Sequence, residues 1–103
     1  MVKYELDNGE EMHANAPQTF YLPPLDARKN LKPNDTVKLV FRIEHDGSFD
    51  VERMWVDVKN ITSTGYIGIL DNDPYCTDEL KAGQVVEFEA KHVIQIYESK
   101  TAI

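Results

Sequence analysis

Apolar residues recur at every second position over long stretches of the chain after residue 35, the period of strands with one buried face. In Thr36 to Glu44, Val37, Leu39, Phe41 and Ile43 share one face, with Thr36, Lys38, Val40 and Arg42 on the other. In Glu52 to Ile61, Met54, Val56 and Val58 form the apolar face, whereas Arg53, Trp55, Asp57 and Lys59 lie opposite. His45-Asp46-Gly47-Ser48 joins these runs, and Asp-Gly is a favoured pair for the primed turn of a hairpin. After the turn Thr62-Ser63-Thr64-Gly65, a third run from Tyr66 to Leu70 directs Ile67 and Ile69 inward and Tyr66, Gly68 and Leu70 the other way. Gly68 has no side chain to pack, so it marks a bulge or a place where something approaches the backbone closely. Val85 to Glu89, with Val86 and Phe88 inward, and His92 to Tyr97, with Ile94 and Ile96 inward, read as two further short strands.

The remaining segments are set by punctuation. Pro17 to Tyr21 reads as extended, and Pro23-Pro24 ends that run because proline disfavours helix at the residue before it. Pro24 then opens a short helix from Leu25 to Leu31. Asp78-Glu79-Leu80 reads as one helical turn. Leu31-Lys32-Pro33-Asn34-Asp35-Thr36-Val37 and Leu80-Lys81-Ala82-Gly83-Gln84-Val85-Val86 match in outline, each turning through a residue that accepts positive φ, Asn34 or Gly83, into a strand. Residues 1–16 are polar; alternation of Val2, Tyr4 and Leu6 makes them an edge strand or a poorly ordered end, with Asp7-Asn8-Gly9 as a turn.

These elements predict a mainly β single domain over residues 17–98, a bent antiparallel sheet or half-open SH3-like barrel with one short helix, followed by a loose tail at 99–103. An α+β sheet-and-helix fold is the alternative. A chain of 103 residues supports one core and not two ordinary domains. With a single cysteine, folding does not depend on an intramolecular disulfide. The start shows no basic segment followed by an apolar run, and no stretch approaches the length of a membrane span, so a cytoplasmic location is expected.

Eighteen acids against eleven Lys and Arg give a formal net charge of −7, which opposes nucleic acid and anionic membrane at long range and attracts a basic partner. The basic run Arg28, Lys29, Lys32, Lys38 and Arg42 reads as a solvated face, and nucleic-acid binding is not expected. Cys76 is the obvious nucleophile by type, but Asp71, Asp73, Asp78 and Glu79 surround it and disfavour a thiolate. His13, His45 and His92 lie in separate segments with no orienting partner readable from spacing. The four carboxylates lack the spacing of a calcium loop, so neither a metal nor a cofactor is expected.

The remaining candidate is a protein-binding surface. Trp and Arg are common binding hot spots, and Arg53, Trp55 and Asp57 project from one strand. Tyr66 and Gly68 are expected beside them, with Asn72, Asp73, Pro74 and Tyr75 as a rim. The other reading of Trp55 is a core residue covered by the N-terminal segment or the short helix. A small-ligand or nucleotide-binding domain, or a weak enzyme, using a pocket between Gly68 and the loop Asp71 to Pro74 is the alternative function.

Glu52, Met54-Trp55-Val56, Gly68-Ile69-Leu70-Asp71-Asn72-Asp73-Pro74 and Leu80 to Phe88 resemble the YegJ-like bacterial domain of unknown function. More loosely, they resemble related small domains proposed as immunity proteins of polymorphic toxin systems. The resemblance implies a small bacterial cytoplasmic domain with no catalytic residues to carry over. The net charge and the lack of a readable catalytic set make a non-enzymatic protein-interaction module the expected function, with an immunity-type protein as its specific form.

Overall fold

The computed structural model describes residues 3–98, so the expected tail at 99–103 lies outside the described residues. In order, these form β1 (Lys3–Leu6), α1 (Gly9–Asn15), α2 (Leu25–Lys29), β2 (Thr36–His45), β3 (Ser48–Ile61), β4 (Tyr66–Leu70), β5 (Val85–Phe88), a 3-10 turn (Ala90–His92) and β6 (Gln95–Ile96). The sheet runs β1-β2-β3-β4-β5, antiparallel throughout, and curls into a half-open barrel. β6 pairs with Val37 and Lys38 on the edge of β2 that β1 also uses. The domain is mainly β, as the alternation predicts.

The β2–β3 hairpin is the spine. Its register runs from Thr36 opposite Asp57 to His45 opposite Ser48. Asp46 and Gly47 between the strands both have positive φ (49° and 80°), the geometry that matches the twist of the flanking strands. Val37, Leu39, Phe41, Ile43, Val56 and Val58 are fully buried, and Met54, Leu31, Leu80, Phe88 and Val93 close the same core.

The third strand departs from the sequence pattern. Tyr66, Gly68 and Leu70 face the core, and Ile67 and Ile69 are half-buried on the outer face. A bulge is the reason. β3 and β4 start in register as Ile61 opposite Tyr66 and Asn60 opposite Ile67, but beyond Lys59 the pairing becomes Val58 opposite Gly68. One extra residue on one strand moves every later partner to the opposite face. A Cβ on Gly68 would stand 2.6 Å from both the Asp57 carbonyl oxygen and Val56 Cγ1, so glycine is what admits the close approach.

The two matching corners behave alike. Asn34 (φ 81°) and Gly83 (φ 99°) follow Pro33 and Ala82 in tight turns closed by Asp35 N–H to Lys32 C=O and Gln84 N–H to Lys81 C=O. Each corner exchanges backbone hydrogen bonds with the neighbouring strand, Asn34 and Asp35 with Val58, Gly83 and Gln84 with Leu70. Both ladders are thereby extended past the strand ends.

Other expectations change. The N-terminal segment contains an edge strand, β1, followed by the unexpected helix α1, which Asn8 caps by accepting from the Glu10 and Glu11 N–H groups. Residues 17–19 form a turn with a bend at Phe20 where an extended run was expected, because Phe20 N–H returns to the Ala16 carbonyl. Helix α2 stops at Lys29, which frees Leu31 to enter the core. Asp78 to Leu80 is bent and not helical, and the predicted strand His92 to Tyr97 shrinks to the two residues of β6. Arg28, 4% exposed, ties the covering layer together: Nε donates to the Pro23 carbonyl, and Nη1 to Glu10 and the Ala90 carbonyl.

Candidate interaction surface

The outer face of β3 carries Phe49, Val51, Arg53, Trp55 and Asp57 in alternation, and the structure does bring Arg53, Trp55 and Asp57 onto one face. Each is engaged by the chain itself. Arg53 is exposed, with its guanidinium over the Phe20 ring at 5.5 Å. Trp55 is half-buried: Tyr97 meets it edge-on at 5.9 Å and Lys38 Nζ lies 4.6 Å over its ring. Asp57 accepts from the Thr36 hydroxyl across the strand pair. Trp55 is therefore neither a bare anchor nor a core residue.

Tyr66 and Gly68 do not join this face. Tyr66 stacks on Phe88 inside the core, donates its hydroxyl to the Arg28 carbonyl and accepts from Leu31 N–H. The space beside Gly68 is filled by Val56 and Asp57, so this glycine forms no wall of a ligand pocket with the Asp71 to Pro74 loop.

Residues 71–76 run along the edge of β3 that β4 leaves free. Asp71 N–H donates to the Trp55 carbonyl, and Trp55 N–H donates to the Asn72 side chain. The Glu52 carboxylate accepts from both Tyr75 N–H and Cys76 N–H at 3.0 Å. Asp73 accepts from Ala82 N–H, and Pro74 is buried. With its neighbours held inward, the Tyr75 side chain is left fully exposed, at 101%. Asp71, Asp73, Asp78 and Glu79 are exposed in the same loop. Sequence reading placed Asn72 to Tyr75 as a rim; the role of Glu52 as the clamp was missed, because nothing in a strand residue's position announces a bond to a loop 23 residues away.

Of the groups reactive by type, folding brings His45 and Cys76 together with Asp50, their donor atoms within 4.8 Å of one another, whereas His13 and His92 are engaged separately. Burial, and then the Glu52 carboxylate, push the Cys76 thiol up to about 11, leaving it protonated and a weak nucleophile. His13 Nδ1–H donates to the Phe20 carbonyl. His92 accepts from Glu89 N–H, and its burial lowers its pKa. The basic run is dispersed: Arg28 is buried, Arg42 pairs with Asp7 and Lys38 covers Trp55. Among the described residues no helix is long and apolar enough to cross a membrane. Compared with known proteins, the chain matches no family model, no curated protein and no solved structure.

Proposed function

We propose that this chain is a non-enzymatic protein-interaction module that presents Tyr75, within a rim of carboxylates, to a basic protein partner in the cytoplasm. The observation that carries this reading is the full exposure of Tyr75 on a loop whose backbone is clamped by Glu52. An exposed tyrosine is a hot-spot side chain, and a loop already ordered loses less conformational freedom on binding. The net charge of −7 adds long-range attraction for a basic surface. Arg53 and Trp55 on the outer face of β3 form the flank of the contact. The resemblance to immunity-type domains makes a basic toxin domain the first partner class to search.

The test is affinity capture from a lysate of the source cells with the wild type, Tyr75→Ala and the pair Asp71→Lys/Asp78→Lys, each checked by thermal unfolding. A basic protein retained by the wild type, released by raised salt and lost from both folded variants is the expected result. Retention of no basic protein, or equal retention by both variants, would sink the proposal.

A further inference from the structure

We propose that His45, Asp50 and Cys76 form a binding site for a single divalent transition-metal ion of the zinc type. A nitrogen of His45, a carboxylate oxygen of Asp50 and Cys76 Sγ all lie within 4.8 Å of one another. Donors around a tetrahedral zinc ion stand about 3.3–3.6 Å apart, given bonds of about 2.3 Å to sulfur and 2.0 Å to nitrogen. Side-chain rotation of roughly an ångström therefore suffices to bring Cys76 to ligand spacing and to part the touching His45–Asp50 pair around an ion. The donors come from the end of β2, the start of β3 and the loop after β4, so folding, and not sequence spacing, assembles them.

The surroundings fit the same reading. His45 Nε2 is hydrogen-bonded to the Asp50 carboxylate, a contact that the ion would replace, while Nδ1 lies 3.5 Å from the Asp46 carboxylate. A metal-bound imidazole commonly gives its second N–H to such a carboxylate, which fixes the ring. Glu52 holds the Cys76 backbone N–H, which keeps the main chain of this residue beside the hairpin. The three donors line a shallow cleft together with Val51, Glu52 and Tyr75, which provides an entry path. Imidazole, thiolate and carboxylate together suit zinc, cobalt or nickel, whereas magnesium and calcium take oxygen sets. Three protein donors leave one position for water. On binding, the Cys76 S–H and His45 Nε2–H bonds break, both protons pass to solvent while Nδ1–H stays directed at the Asp46 carboxylate, metal–sulfur and metal–nitrogen bonds form and coordinated water is released.

Bound metal would staple the loop of residues 71–80 to the β2–β3 hairpin. The site stands on its own geometry and holds whether or not Tyr75 contacts a partner.

The experiment adds cobalt(II) to the chelator-stripped full chain near neutral pH. The expected result is a near-ultraviolet thiolate-to-cobalt charge-transfer band with intense visible bands of tetrahedral cobalt, saturating at one ion per chain and displaced by zinc(II). Cys76→Ser should abolish the charge-transfer band, and His45→Ala and Asp50→Asn should each weaken cobalt binding at least tenfold. Zinc should raise the thermal midpoint of the wild type and not of the variants. Thermal unfolding in chelator verifies that each variant is folded. No charge-transfer band, saturation at one ion per two chains, or unchanged binding in both His45→Ala and Asp50→Asn overturns the proposal.

Discussion

The inverted faces of β4 make a quantitative prediction. If the bulge at Lys59 sets the register, Leu70 is a core residue and Ile69 is not, although alternation alone ranks them the other way. Leu70 is 1% exposed, so Leu70→Ala empties a buried site at a cost of about 2–5 kcal/mol. Ile69 is half-buried on the outer face, and Ile69→Ala forfeits about half of three carbons at about 0.8 kcal/mol each, or about 1 kcal/mol. Gly68→Ala forces a Cβ to within 2.6 Å of a backbone oxygen and of Val56. Overpacking against backbone belongs near the upper end of about 1–3 kcal/mol, and the entropy removed from the unfolded chain returns about 0.5–1 kcal/mol, leaving about 2 kcal/mol. Urea unfolding of the variants should therefore move the midpoint in the order Leu70→Ala, then Gly68→Ala, then Ile69→Ala, with little change in slope. At about 4–8 °C per kcal/mol, the Gly68→Ala melting temperature should fall by about 8–16 °C. If Ile69→Ala costs more than Leu70→Ala, or Gly68→Ala stays within about 0.5 kcal/mol of the wild type, the bulged register is wrong.

Further outcomes follow from single residues. Arg28→Met strands the Pro23 and Ala90 carbonyls, so denaturant unfolding should show a loss of about 2–4 kcal/mol, whereas Glu10, 43% exposed, simply returns to water. Asn8→Ala removes the cap of α1 and should cost about 1 kcal/mol in the same assay. His92 is held below its ordinary pKa by burial, so folding favours its neutral form; the stability it contributes is present above the unfolded value near 6.5 and is lost as pH falls through the folded value. An NMR titration should place its midpoint below 6.5, and a midpoint above that value would contradict the burial argument.

The hairpin was legible in the sequence because two independent signals agree on it. Alternation from Val37 to Ile43 and from Met54 to Val58 sets the faces, and Asp46-Gly47 sets the turn. The positive φ at Asn34 and Gly83 was legible for the same reason. The face of β4 was not, since a one-residue bulge leaves each strand's own alternation intact and changes only how the strands meet. Helix α1 was hidden because Met12 is almost its only apolar residue; its support is the Asn8 cap and the contact of Glu10 with Arg28, a residue far along the chain. Alternation put Trp55 on the outer face, but Tyr97, which half covers it, belongs to another element. The convergence of His45, Asp50 and Cys76 was invisible for a similar reason, because it needs both the hairpin and the returning loop.

In the proposed function, Glu52 holds the loop that displays Tyr75 to a partner, and the measurement that bears on this is the affinity of the captured basic partner for the wild type, Tyr75→Ala, Glu52→Gln and Glu52→Ala. Glutamine keeps an acceptor for the loop amides and alanine does not. Glu52→Gln should bind close to the wild type, while Glu52→Ala and Tyr75→Ala should bind at least tenfold more weakly, about 1.4 kcal/mol, with the fold retained. Wild-type affinity in both Tyr75→Ala and Glu52→Ala would contradict the claim.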